Sequence, residues 1–217
     1  MAQTADFQGQ WRDRLASGSK LAARALSTAL KEDVTRVPLI VPLTRDALPT
    51  VRVAAFRALE EIAGWKPHAV APFAADIVAG LAAAEPDAQT AALASLTHVA
   101  PLAQAEAALA LPLIADLLKS RRPALREEAV RCLGRLGMQL PERAPVVAQR
   151  LGSALKDARH PRASMEAREI LAALEGVLPN LGPQERAGLV DAVAPLRGHP
   201  NIQVRERAGR LAKKLSP

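Results

Sequence analysis

Residues 46–62 read Asp46-Ala-Leu-Pro49-Thr-Val51-Arg52-Val-Ala-Ala55-Phe56-Arg57-Ala-Leu59-Glu60-Glu61-Ile62. Pro49 removes a backbone N–H and fixes φ, which suits a turn or the first residue of a helix. Val51, Ala55, Leu59 and Ile62 then follow at offsets of 0, 4, 8 and 11, which places all four on one helical face. A turn followed by a one-faced helix is the local reading. It decides the fold only if it recurs.

It recurs at a fixed interval. Pro49, Pro86, Pro123, Pro161 and Pro200 are separated by 37, 37, 38 and 39 residues. Ala88, Ala92, Leu96 and Val99 repeat the apolar offsets, as do Leu125, Ala129, Leu133 and Leu136, and then Ala163, Ala167, Leu171 and Leu174. The last copy, Val204, Ala208, Ala212 and Leu215, is displaced by two residues. A small residue at the second position of every copy lets a neighbouring helix approach closely. A further helical stretch precedes each turn, at roughly 34–46, 68–83, 104–119, 142–156 and 184–196. Pro67, Pro141 and Pro183 stand at or near the start of three of these stretches. Pro42, Pro72, Pro112 and Pro145 fall in the first turns or bodies of others and predict kinks or late starts. Two helices per repeat, joined by a short turn, form the unit of an α-solenoid.

On these residues the chain resembles the HEAT-repeat family. Asp46-Ala-Leu-Pro49-Thr-Val51-Arg52-Val-Ala-Ala55 is similar to the turn and second-helix start of such repeats. Leu125-Arg126-Glu-Glu-Ala129 and Val204-Arg205-Glu-Arg-Ala208 match the same core, while Gln89 and Ser164 occupy the arginine column of the two weaker copies. The resemblance implies an all-α, right-handed α-solenoid of about five helical hairpins behind an N-terminal helical cap. The expected layout is a cap over 1–33 and repeats over 34–64, 65–102, 103–140, 141–180 and 181–217, in one continuous domain. Ten solenoid helices, one or two cap helices before Lys31 and no sheet are expected. The resemblance also implies that second helices line a concave face. In such repeats, an Asp six residues before the column Arg forms ladders between repeats. Asp46 and Arg52 fit, but Ser120 and His199 stand in the Asp position for Arg126 and Arg205, which makes those two arginines look less committed to the ladder.

Composition agrees with an all-helical chain. Of 217 residues, 46 are Ala and 31 Leu, against five aromatics, a balance that favours helices over strands. No apolar run approaches the ~20 residues that span a bilayer, so membrane insertion is not expected. The start, Met1 to Trp11, has no signal-type hydrophobic region, and Cys132 stands alone, so no intramolecular disulfide or Cys-rich zinc site can form. Cytoplasmic placement is the expectation. In the cap, Phe7, Trp11 and Leu15 share one face, and Leu21, Ala25 and a Leu26/Leu30 pair make a second stripe, with Asp13, Arg14, Lys20, Arg24 and Lys31 supplying the polar outer side.

The formal charge of +7 is unevenly placed. The second helices and their turns, as read here, carry the full +7 excess, while the first helices and the segments before them are at −2. Ala88–Leu102 has no Lys or Arg, which interrupts any basic track. Arg57/Glu61, Glu127/Arg131, Arg162/Glu166 and Glu206/Arg210 fit i,i+4 pairs that would solubilise an exposed helix. The alternative is a surface for polyanions. The candidate binding residues are Arg52, Arg57, Arg126, Arg131, Arg135, Arg168, Arg205 and Arg207.

Catalytic chemistry finds little footing. His160 and His199 lie a whole repeat apart, about a helix spacing of 8–10 Å, too far to share a metal ion, and read as solvent-facing turn residues. Cys132 sits on the apolar stripe, and Met138, Met165 and Phe56 read as core. No metal site and no cofactor is expected. HEAT-like alkylpurine DNA glycosylases share the implied architecture and capture cationic bases with tryptophans and an aspartate on the concave face. This chain has only Trp11 and Trp65, and its second helices as read contain no Asp. Resemblance to HEAT-type bilin lyases rests on no identifiable chromophore residue. The expected function is a non-enzymatic scaffold or adaptor gripping a protein partner with an acidic surface. The second possibility is sequence-nonspecific binding of a DNA or RNA backbone, without base stacking, and the third is the glycosylase.

Overall fold

Each repeat proline opens a helix or the turn before one. In the computed structural model, which describes residues 2–215, every regular element is helical. The α-helices are α1 (Ala2–Ala16), α2 (Lys20–Glu32), α3 (Val37–Ile40), α4 (Pro49–Trp65), α5 (Pro67–Val70), α6 (Ala74–Gly80), α7 (Pro86–Val99), α8 (Gln104–Leu117), α9 (Pro123–Gln139), α10 (Ala144–Asp157), α11 (Ser164–Val177), α12 (Pro183–Val193) and α13 (Ile202–Leu215). Pro49, Pro86 and Pro123 are the first residues of α4, α7 and α9, where a missing N–H costs nothing. Pro161 starts a short 3-10 turn ahead of α11. The result is an all-α helical-repeat solenoid.

The first helices of the first two repeats are broken rather than kinked. Pro38 and Pro42 leave only α3 as α-helix between two 3-10 stretches, Val34–Arg36 and Val41–Arg45. Pro67 and Pro72 similarly divide the next stretch into α5, a 3-10 turn and α6. Pro42 and Pro72 each remove a donor part-way along the stretch, and a tighter 3-10 pattern replaces the α-helix at both. Pro112 stands alone, and α8 continues through it.

The helices group into two compact units, residues 1–110 and 111–217. In the first, α4 packs between α2 and α7, with α1 against α2 and α4, and α6 against α7. In the second, α9, α11 and α13 stack in sequence, while α10 packs on α9, α11 and α12. Ala55, Ala92, Ala129, Ala167 and Ala208 are all fully buried, as the small column requires. A Cβ on Gly134 would lie 2.8 Å from the Cβ of Ala173, so α9 and α11 meet there with no room for a side chain.

Several buried positions depart from the pattern. Leu211 is fully buried and takes the inward place assigned to Ala212, and Ala163 lies only half-buried in the 3-10 turn. Leu21 is 76% exposed, so the second cap stripe runs through Ala22, Leu26 and Leu30. Met138 and Met165 face solvent, whereas Phe56 and Cys132 are core. The cap is itself a complete hairpin: α1 and α2 are joined by a three-residue turn in which Gly18 adopts φ 71°. That left-handed backbone suits glycine.

Candidate interaction surface

The column arginines act first on their own turns. Arg52, Arg126 and Arg205 each donate from Nη1 to the carbonyl six residues earlier, on Asp46 (2.6 Å), Ser120 (2.8 Å) and His199 (3.0 Å). The side chain at that earlier position accepts an N–H two residues on: Asp46 from Leu48, Ser120 from Arg122, His160 from Arg162 and His199 from Asn201. An acceptor side chain and a backbone carbonyl are therefore what the turn needs, and aspartate is one of three residue types that serve. This corrects the expectation that Arg126 and Arg205 are freer than Arg52. It also moves His199 inside: it is 4% exposed, with Nδ1 occupied by Asn201 and Nε2 without a partner. His160 is exposed, as expected.

A second set of bonds links successive repeats. Arg52 reaches Glu85 through Nε and Nη2, and Arg126 reaches Glu166 at 2.9 Å. Arg57 turns to Asp87 at 2.8 Å and not to Glu61, which Lys31 holds at 2.9 Å. Arg168 donates to Gln203 at 2.9 Å and contacts Glu169, while Arg207 donates to the Arg168 carbonyl and lies 3.6 Å from Glu175. Arg131 pairs one turn away with Glu128 at 3.1 Å rather than with Glu127. None of the expected i,i+4 pairs forms: Arg57, Glu61 and Glu166 are engaged across repeats and Arg131 at i,i+3, while Glu127, Arg162, Glu206 and Arg210 have no side-chain partner among the described residues. Of the eight candidate arginines, Arg135 is the exposed one with no hydrogen-bond or ion-pair partner among the described residues.

Two acids that the sequence places with the first helices lie in the second-helix layer. Glu85 caps α7 and Asp87 lies in its first turn, so both belong to the second helices and lower that layer's positive excess by two. The hydrogen bond from Arg52 outweighs partial burial and holds the Glu85 carboxyl below its ordinary range, and Glu85 in turn raises the Arg52 guanidinium. Burial would raise the Asp46 carboxyl, but the Leu48 N–H and the Arg12 guanidinium, 2.6 Å away, together bring it below its usual range.

What remains unpaired lies mostly in residues 111–217. Arg121, Arg122, Arg135, Arg162, Arg210 and Lys213 are exposed, and their side chains make no hydrogen bond or ion pair among the described residues. Only Glu127 and Glu206 are comparably unengaged acids on α9, α11 and α13. A polar groove of about 530 Å³ runs between α11 and α13, lined by Arg168, Glu169, Gln203, Glu206, Arg207 and Arg210.

Elsewhere, Trp11 is buried in α1, with Phe7 beside it and Arg14 stacked 4.1 Å from its ring centroid. Trp65 is exposed at the end of α4, with the Lys66 ammonium 5.0 Å from its ring. Asp87, the aspartate found on a second helix, is held by Arg57. Among the described residues, no group of three His, Cys, Asp or Glu is placed to hold a metal ion, and no helix is long and apolar enough to cross a membrane.

No family model and no curated protein matches the chain. Solved structures match its fold. A designed armadillo repeat protein in complex with a (KR)4 peptide is 19% identical with a TM-score of 0.68, covering 95% of this chain and 98% of its own. The armadillo repeats only protein from Plasmodium falciparum is 14% identical with a TM-score of 0.62, over 89% and 98%. The CpcE–CpcF complex of phycocyanin lyase from Nostoc sp. PCC7120 is 16% identical with a TM-score of 0.58, over 83% and 65%. At these identities the likeness is one of fold.

Proposed function

We propose that the chain is a non-enzymatic helical-repeat scaffold that binds an acidic protein partner through the exposed side of α9, α11 and α13. The observation that carries this reading is the charge left after the ladder is complete: six exposed cations without partners, against two unengaged acids. Arginines that no acid of the chain occupies are available to carboxylates, which a guanidinium grips in bidentate fashion. The designed armadillo neighbour that binds a (KR)4 peptide supports the idea that this fold presents an extended binding surface, there for a basic ligand. Here the surplus has the opposite sign, and the partner's sign follows it. The glycosylase reading loses support because Trp11 is in the core of the cap and Asp87 is ion-paired.

The test is fluorescence anisotropy with a labelled glutamate-rich peptide and, separately, a short DNA duplex. The peptide is expected to bind, and Arg135→Glu/Arg210→Glu to weaken it about tenfold. If the duplex binds more tightly than the peptide, with a log–log salt slope near about −5 from six phosphate contacts, nucleic-acid backbone binding replaces the adaptor reading. That slope is about what six free cations would give.

A further inference from the structure

We propose that the groove between α2 and α4 is a separate peptide site that takes an extended segment of the form acidic–aliphatic–acidic. The groove, of about 540 Å³, has Lys20 and Arg24 on its α2 side and Ala23, Pro49, Val53 and Ala54 among its lining. The sequence assigns Lys20 and Arg24 only a solubilising role on the cap. In the fold, both belong to a concavity, because α2 packs on α4 as though it were the second helix of a preceding repeat.

Charge selects the occupant. The Lys20 and Arg24 side chains have no hydrogen-bond or ion-pair partner among the described residues. The other charged groups that line the groove are already neutralised: Arg57 by Asp87 at 2.8 Å, and Glu61 by Lys31 at 2.9 Å. The groove therefore carries two uncompensated positive charges above an aliphatic lining. Its Lys20 end is tied to α1. There Thr50 donates a hydrogen bond to the Ala16 carbonyl (3.3 Å), which ties α4 to the end of α1.

Spacing selects the pattern. Lys20 and Arg24 are one helical turn apart, about 6 Å along the axis. In an extended strand, side chains at i and i+2 point the same way and are about 6.6 Å apart. Carboxylates at those two positions match the two cations, and the side chain between them points the other way, toward Val53 and Pro49 on α4. From Lys20 to Ser27 the groove is about 11 Å long, room for three extended residues. It has no aromatic lining for a base to stack on, which favours a peptide over a nucleotide.

The probe is a fluorescein-labelled Gly-Glu-Val-Glu-Gly peptide titrated with the full chain at low salt. Lys20→Ala/Arg24→Ala is expected to weaken binding about five- to tenfold, the effect of two exposed charge pairs. Val53→Glu is expected to weaken it as well, by placing a carboxylate on the apolar side. A loss of affinity in Lys20→Ala/Arg24→Ala that Arg135→Glu/Arg210→Glu does not match assigns this peptide to the α2–α4 groove, and the reverse pattern assigns it to the α9–α13 surface and overturns the proposal, so the two sites can fail independently. Thermal melts of each variant confirm that the chain is folded. A Gly-Lys-Val-Lys-Gly peptide that binds equally well overturns the proposal, and so does a parent-like affinity in the Lys20/Arg24 variant. An oligonucleotide that binds more tightly than the peptide and loses affinity with the same two substitutions overturns the peptide as occupant.

Discussion

The second helices of the two units use the same arginine column for the same purpose, yet leave very different surfaces. In residues 1–110, the segment entering α7 supplies Glu85 and Asp87, which meet Arg52 and Arg57. In residues 111–217, the turns entering α11 and α13 supply His160 and Arg162, and then His199 and Asn201. Those turns supply no acid ahead of the helix, so the second unit's arginines meet Glu166, in the first turn of α11, and Glu175, near its end. The surplus follows from that difference. A count of arginines is therefore a poor guide to a basic surface; the acids at the turns decide which guanidiniums stay free.

The largest expected effects lie in the interior, where the two units should behave alike. Ala92→Phe in α7 and Ala129→Phe in α9 insert a ring where the native side chain is fully buried. Each should destabilise by about 1–3 kcal/mol through overpacking, measured by chemical denaturation. If either variant unfolds like the parent, that helix's inward face is misassigned, and the comparison loses its common frame.

Next come the turn arginines. Arg52→Ala strands Glu85 and the carbonyls of Asp46 and Ala47, while Arg126→Ala strands Glu166 and the carbonyl of Ser120. Losing charge-assisted bonds in partly buried, partly screened sites should cost about 1–2 kcal/mol in each case. Arg135→Ala, which breaks no such bond, should stay within about 0.5 kcal/mol. A similar loss in all three would mean that paired and free arginines are not distinct classes.

Acid should separate the units further. Glu85 and Asp46, both in residues 1–110, have folded-state values below their ordinary 4.5 and 3.8. A lowered carboxylate adds stability that is complete above its unfolded value and is lost as the pH falls through the folded one. Melting temperature should therefore decline from about pH 4.5 downward, and Glu85→Gln should remove part of that decline while lowering stability at neutral pH. An unchanged acid limb in Glu85→Gln would show that the Arg52–Glu85 pair does not drive it.

The sequence made the architecture legible because the proline interval and the offsets of 0, 4, 8 and 11 are properties of the backbone and of burial, which repeat with it. Val51, Leu59, Leu133 and Leu171 are all buried where the register puts them. The site was less legible. Arg57 has an acid one helical turn away, at Glu61, and another thirty residues away, at Asp87; only packing reveals that the distant one is nearer in space. His199 was misplaced for a related reason. Its role as a turn acceptor is local, but its burial depends on what packs over the turn. Lys20 and Arg24 gave no signal at all, because a groove is a relation between two helices and neither helix encodes it alone.

The smallest expected effect is also the finest test of the comparison. Arg52–Glu85 and Arg57–Asp87 tie the same two neighbouring repeats together, but the first pair has side chains 22% and 18% exposed and the second 50% and 59%. Water and salt screen the outer pair, and holding two long exposed side chains in register costs entropy. A double-mutant cycle on Arg57 and Asp87 should give a coupling of about 0.5 kcal/mol or less, falling toward zero in high salt. The cycle on Arg52 and Glu85 should give a larger coupling that survives salt, because its guanidinium is also anchored to two carbonyls and does not need to be ordered for the pair alone. Equal couplings would make the turn anchor irrelevant. Arg52 would then be one more surface arginine, and the distinction between a structural column and a free basic surface would have to be drawn elsewhere.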